Sequence, residues 1–251
     1  MILQVDAGNT RIHWRLVEID ASQTPIVRGR GHVEHGAVPD PVGREAITGV
    51  ELACVAGEDV IDALRRALNG TAGIPVVGAR TEAAACGVSN SYAEPRAMGV
   101  DRWLAMIAAY NHYPGGAIIV DAGTAVTVDY VDSQGQHLGG YILPGPNMMT
   151  QALGRNTARV HGAEGDFGPP VPGCATAECV NHGIAWIWSS AAERLRHEQQ
   201  KYGLNTIVVT GGDAEFMADL FGGVAVIEPD LVFMGMDLVF ADTAPRSGLR
   251  G

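Results

Sequence analysis

A hairpin pattern that occurs twice restricts this chain more than any other feature. MILQVDAGNTRIHWRLVEI runs from an apolar strand through an Asp-Ala-Gly turn into a second strand, and AIIVDAGTAVTVDYVD repeats that course from Ala117 onward. Aligned on Asp6 and Asp121, the two copies are offset by 115 residues. Each is followed by a third strand-like stretch, TPIVRGRGHV in the first copy and HLGGYIL in the second. Each half then carries two short apolar strands, LACVAG and IPVVGA in one, TIVVTGG and VAVIEP in the other. Periods of about 20 to 50 residues signal solenoids, whereas a single period near half the chain signals duplication of a whole domain. The expectation is an α/β protein of two similar domains, residues 1–115 and 116–251, each with three strands followed by helix, strand, helix and strand.

The intervening helices follow from periodicity. EDVIDALRRALNG puts Val60, Leu64 and Leu68 on one face, with Gly70 placed to close the helix. HGIAWIWSSAAERLRHEQQKYG predicts a longer helix with an apolar start, a charged end and Gly203 as its stop. GVDRWLAMIAAY predicts another, on which Trp103, Ile107 and Tyr110 share a face.

Composition removes several classes of function. With 251 residues, 47% of them hydrophobic, the chain can bury a substantial core. A formal charge of -11 repels phosphate backbones and anionic lipid surfaces, so neither nucleic acid nor membrane is an expected partner. MILQVDAGNT has no cationic region ahead of an apolar stretch and does not read as a signal peptide, and no apolar run approaches the roughly 20 residues that span a bilayer. A cytoplasmic protein is the expectation. Cys54, Cys86, Cys174 and Cys179 show neither CxxC pairing nor a neighbouring His at ligand spacing, and read as buried free thiols. Of the 17 basic residues only Lys201 is a lysine, in the polar stretch HEQQKYG. A P-loop needs Lys at the end of its glycine-rich turn and a protein kinase needs one on a strand, so both architectures are excluded.

The repeated turn has a chemistry of its own. Gly8 and Gly123 can take positive φ and present bare backbone, so a phosphate can approach the N–H groups of each turn. Asn9, Thr10 and Thr124 add neutral donors. Asp6 and Asp121 sit at the ends of apolar strands, where a carboxylate is costly unless a cation pairs with it. An Asp-Gly pair also closes ordinary hairpins; two copies related by duplication favour a pair of turns that grip one triphosphate. VVTGGDAEF supplies a third element, with Thr210 ending a strand, Gly211 and Gly212 turning, and Asp213 opening a helix over bare backbone on which an adenosine could lie. In GVDRW, Asp101 could cap its helix, or it could take the proton of a substrate hydroxyl while Arg102 holds an anionic group.

Facing hairpins from two similar halves resemble the actin, Hsp70 and sugar-kinase superfamily. DAGNT at Asp6 to Thr10, GVDRW at Gly99 to Trp103, DAGTAVTVD at Asp121 to Asp129 and GGYILPG at Gly139 to Gly145 together resemble type III pantothenate kinases over essentially the whole chain. That resemblance implies two duplicated actin-like (ribonuclease H-like) domains, each a five-stranded mixed sheet with flanking helices, and a nucleotide cleft between them. It implies ATP with Mg²⁺ as phosphoryl donor, a potassium or ammonium ion at Asp121, and Asp6, Gly8, Asn9, Thr10 and Thr124 as ATP contacts. Asp101 would be the general base; Tyr92, Gly99, Val100, Arg102 and Thr176 would contact pantothenate; the active form would be a homodimer, with the helix beginning VNHGIAWIW as a contact surface. Another small-molecule hydroxyl kinase of the superfamily, or a nucleotide-binding accessory protein, is the alternative. Two departures stand out: His13 where the family commonly carries Lys, which makes any charge there pH dependent, and Cys174-Ala175 where Asn-Ser is expected ahead of Thr176.

Overall fold

The computed structural model describes residues 1–22, 24–34, 37, 39, 46–55, 62, 66, 74–157, 159–162, 165 and 167–243. These group into two compact units, residues 1–111 with 230–251, and residues 112–229.

The first unit is built on a five-stranded sheet of β1 (Ile2–Ala7), β2 (Arg11–Ile19), β3 (Pro25–Glu34), β4 (Gly49–Cys54) and β5 (Val76–Gly78), in the order β3-β2-β1-β4-β5. β1, β2 and β3 pair antiparallel; β4 runs parallel to β1, and β5 to β4. Alternation along β1 sends Leu3, Val5 and Ala7 to one face, where they pack with Ile12, Val50 and Leu52. The other face is polar and still buried. Arg15 donates from Nε to Gln4 Oε1 at 2.8 Å, and Gln4 Nε2 donates at 2.8 Å both to Glu51 and to Asp237. Asp237 belongs to the C-terminal helix (Leu231–Thr243), whose Phe233 carbonyl also accepts from Arg15 and whose Phe233 ring lies under the guanidinium at 5.2 Å. Each charge in this network has a partner, the condition for burying it; removing one leaves the others stranded at a cost of roughly 3–5 kcal/mol.

The same unit holds a small hairpin of β6 (Ala84–Ala85) and β7 (Val88–Ser89), a 3₁₀ turn at Pro95–Ala97, and α1 (Val100–His112). Cys86 and Gly87 at the hairpin tip both have positive φ, 48° and 84°, the mirror-image turn that suits strand twist. α1 was expected to be amphipathic. Instead it is buried from Arg102 through Ala109 without interruption, the pattern of a helix enclosed on all sides. A Cβ at Gly235 would lie 2.1 Å from the Leu104 carbonyl oxygen, so only glycine lets the C-terminal helix approach α1 this closely. Of the helix expected over residues 58–70, only Asp62 and Arg66 are described, both helical; the rest lies outside the described residues.

The second unit repeats the sheet: β8 (Ala117–Ala122), β9 (Ala125–Val131), β10 (His137–Pro144), β11 (Thr206–Thr210) and β12 (Val226–Ile227), in the order β10-β9-β8-β11-β12 with the same pattern of senses. Its helices are α2 (Pro146–Asn156), α3 (Thr176–Tyr202) and α4 (Ala214–Leu220); the C-terminal helix is α5. Ile184, Trp188, Ala192 and Leu195 form a stripe on α3 that packs on Ile118, Val120, Val128 and Tyr130. α3 stops where expected. Gly203 takes φ 64°, and the N–H groups of Gly203 and Leu204 donate to Gln200 and Gln199, closing the last turn.

Candidate active site

In the first unit, Asp6 is the last residue but one of β1, in register with His13 on β2 and Ala53 on β4. Gly8, Asn9 and Thr10 form the turn, closed by Gly8 N–H donating to the Arg11 carbonyl at 3.1 Å, with Asn9 and Thr10 exposed. Positive φ, open to both Gly8 and Gly123, is used by neither. Bareness is what each supplies: a Cβ would stand 3.4 Å from the Arg11 oxygen at Gly8 and 3.6 Å from the Ala125 oxygen at Gly123. The His13 ring lies 5.9 Å from that of His32, its cross-strand neighbour. Partial burial first, then His32 and Arg11, hold His13 below the ordinary imidazole range.

The same unit brings together Tyr92, Gly99, Val100, Asp101 and Arg102. Asp101 stands in the first turn of α1, where its Oδ1 accepts from the Arg102 N–H at 2.7 Å. A Cβ at Gly99 would lie 2.5 Å from that oxygen, so glycine is what permits the carboxylate its position. Arg102 is buried; it donates to the Tyr92 hydroxyl at 3.0 Å, with the guanidinium 5.8 Å from the ring centre. Tyr92 is oriented in turn by its N–H, which donates to Asn90 Oδ1. Val100 is buried as well.

In the second unit, Asp121 is the last residue but one of β8, in register with Thr127 and Thr210. Gly123 and exposed Thr124 make a shorter turn, and the Thr124 carbonyl accepts from Gly145 N–H at 3.0 Å. Gly211 and Gly212 loop between Thr210 and Asp213 before Asp213 N–H returns to the Ala122 carbonyl at 2.8 Å. Gly211 has φ 92°, and a Cβ there would lie 2.6 Å from Asp121 Oδ1. The third sequence element thus folds directly against the second turn. Burial raises the Asp213 carboxyl above its ordinary range, partly opposed by contact with Asn147, whose Nδ2 lies 3.4 Å from Asp213 Oδ2. Asn147 also accepts from Gly165 N–H; sequence reasoning passed over it because a lone Asn in GPNMM carries no motif. Thr176 is the exposed first residue of α3.

An Asp-x-Gly turn at the head of a five-stranded mixed sheet, given twice with one strand order, defines a duplicated actin-like, ribonuclease H-like protein. A model of the type III pantothenate kinase family matches residues 2–198. A type III pantothenate kinase of Marinobacter nauticus is 36% identical over 248 residues, covering 95% of this chain and 98% of its own. One of Hahella chejuensis is 35% identical over 243 residues, covering 94% and 96%. The chain belongs to the type III pantothenate kinase family. Among solved structures, a Campylobacter jejuni protein described as a Baf family transcriptional activator matches with a TM-score of 0.61 and 20% identity over 96% of this chain and 98% of that one, a likeness of fold.

Proposed function

We infer that this enzyme transfers the γ-phosphoryl group of ATP to the primary hydroxyl of pantothenate, giving 4'-phosphopantothenate in the first step of coenzyme A biosynthesis. Membership in the family supports the reaction, and one cluster carries the assignment of roles: Asp101 on a bare Gly99 shoulder beside the buried Arg102–Tyr92 pair. Asp101 takes the hydroxyl proton as the oxygen attacks phosphorus and ADP leaves. Arg102 is always charged and held by Tyr92, which fits it to the pantothenate carboxylate. Gly99 and Val100 shape that pocket, and Thr176 adds a hydroxyl contact. Loose phosphoryl-transfer transition states need positioning and charge neutralisation more than covalent help.

Gly8, Asn9 and Thr10, with Asp6 at the strand end before them, and Thr124 are proposed as ATP contacts, the phosphates being met by backbone and neutral donors, a solution suited to a chain whose one lysine, Lys201, lies in a solvated helix end. Mg²⁺ bound with ATP would neutralise phosphate charge. Asp121 is proposed to hold a potassium or ammonium ion: the residue is partly buried, and its Oδ1 and the Ala122 carbonyl oxygen, both beside the bare Gly211, are oxygen donors of the kind a hard cation takes. A coupled ADP-release assay with pantothenate, with and without potassium, tests acceptor and cation together; pantothenate-independent ADP release would reject the acceptor.

A homodimer is proposed on the second unit. α3 gives its Ile184 and Trp188 side to the core and leaves Trp186 63% and Ile187 45% exposed, while edge strand β10 exposes Tyr141 and Ile142. An apolar edge of this kind calls for cover. Light scattering that finds a fully active monomer would end the proposal. Among the described residues no helix is long and apolar enough to cross a membrane, and a cytoplasmic location is proposed.

A further inference from the structure

The four cysteines do not share one environment. Cys54 and Cys86 are partly buried, but Cys174 and Cys179 are exposed, against the expectation of buried thiols. The last two flank the start of α3, whose capping position is Ala175, so Cys174 immediately precedes the cap and Cys179 is the fourth helical residue. At a helix start the residue before the cap and the fourth helical residue often meet side chain to side chain across the first turn, the staple that joins two apolar residues there.

Hydrogen bonds tie the incoming segment to this helix start. Cys179 Sγ donates to the Gly173 carbonyl at 3.3 Å, placing this thiol against the peptide group that leads into Cys174. Cys174 N–H donates to Glu178 Oε2 at 2.8 Å. A Cβ at Gly173 would lie 2.6 Å from the Cys179 nitrogen, so the incoming segment folds back over the helix start. Upstream, the Val171 carbonyl lies 2.9 Å from His182 Nδ1 and ties the segment down again.

We propose that Cys174 and Cys179 are a redox-reactive dithiol that closes to a disulfide across the first turn of α3 by exchange with a low-molecular-weight disulfide, and that closure changes the setting of Thr176 between them. One cysteine, as thiolate, attacks the small disulfide, forming a mixed disulfide and releasing one small thiol. The second attacks the protein sulfur of that mixed disulfide, forming the Cys174–Cys179 bond and releasing a second small thiol. The protein loses two electrons and two protons, and the small disulfide gains them. A bridge across this turn would fix Cys174 to Cys179 on either side of Thr176, the first residue of α3. The kinetic part rests on the proposed role of Thr176 in binding pantothenate; the chemical part does not.

The full chain is incubated with oxidised glutathione, the remaining thiols are alkylated with iodoacetamide, and the protein is digested with trypsin. Residues 160–194 form one tryptic peptide containing both cysteines, because no Lys or Arg lies between Arg159 and Arg194. The expected product is that peptide lighter by two hydrogens and without alkylation, reverting on treatment with dithiothreitol. KM for pantothenate is expected to rise roughly fivefold or more on oxidation with KM for ATP unchanged, positioning of one substrate alone being disturbed. A Cys174→Ser, Cys179→Ser double variant should not respond. Alkylation of both cysteines after oxidation, or pairing with Cys54 or Cys86, overturns the dithiol; a closed bridge with unchanged KM for pantothenate overturns the link to Thr176. A reduced enzyme that fails to phosphorylate pantothenate defeats the proposed function instead, while the peptide result still decides the disulfide.

Discussion

The two units use one scaffold and depart from each other where their strands end. Three residues, Gly8 to Thr10, separate β1 from β2, whereas two, Gly123 and Thr124, separate β8 from β9. The carbonyl that closes each sheet's first strand shows the second difference. Ala7 accepts from Val55, one residue beyond β4, and Ala122 accepts from Asp213, three beyond β11. The extra length in the second unit is Gly211 and Gly212, a loop of bare backbone beside Asp121. A third difference lies in the sheets themselves: opposite β1, Arg15 reaches a helix far along the chain, while the corresponding site on β9 holds buried Asp129, 3.1 Å from His137 on the next strand. Duplication preserved what strand pairing requires, and divergence collected at loops and at buried polar sites, where each unit needs different partners.

Four experiments bear on that contrast. The largest effect is expected at the buried charges. Arg15→Ala takes the guanidinium away from the buried Gln4 and from Asp237 and should cost roughly 3–5 kcal/mol, whereas His137→Ala removes its buried contact with Asp129 within a hairpin and should cost about 1–3 kcal/mol. Urea unfolding of both variants measures this, and a reversed order would undo the claim that the first unit depends on its long-range network. Next is Asp101→Asn, which should lower turnover by about 100-fold or more while leaving ATP binding intact. Near-normal turnover would remove Asp101 from the role of base.

The two turn glycines should then separate. Gly211→Ala forces a side chain into positive φ and against Asp121, costing on the order of 1–3 kcal/mol of stability. Gly8→Ala meets nothing closer than 3.4 Å and should stay within about 0.5 kcal/mol of the parent while raising KM for ATP. Equal losses of stability would erase the difference between the loops. The smallest effect belongs to His13. Its pKa is lower folded than unfolded, so the unfolded chain takes up the extra proton first and stability falls as pH drops through the usual imidazole range. His13→Gln should shrink that fall in the urea midpoint, and a variant as acid-sensitive as the parent would exclude the contribution.

What the sequence determined by itself was everything written in local periods and turn chemistry. Alternation and the twice-used Asp-Ala-Gly set three antiparallel strands in each half, Gly203 set the end of α3, and GVDRW marked the helix start that carries Asp101. Those signals are legible because each rests on residues a few positions apart. Tertiary structure alone decided the rest. Arg15 and Asp237 are separated by 222 positions, and nothing local tells either that the other will neutralise it. Gly211 reads as an ordinary loop residue until β11 lies beside β8 and its missing side chain becomes the space that Asp121 needs. Cys174 and Cys179 read as buried thiols, and the structure leaves both exposed beside the start of α3. For Arg15 and Gly211 the deciding energy is a contact between distant segments, ion pairing or steric exclusion, and such a contact has no period along the chain by which it could be foreseen.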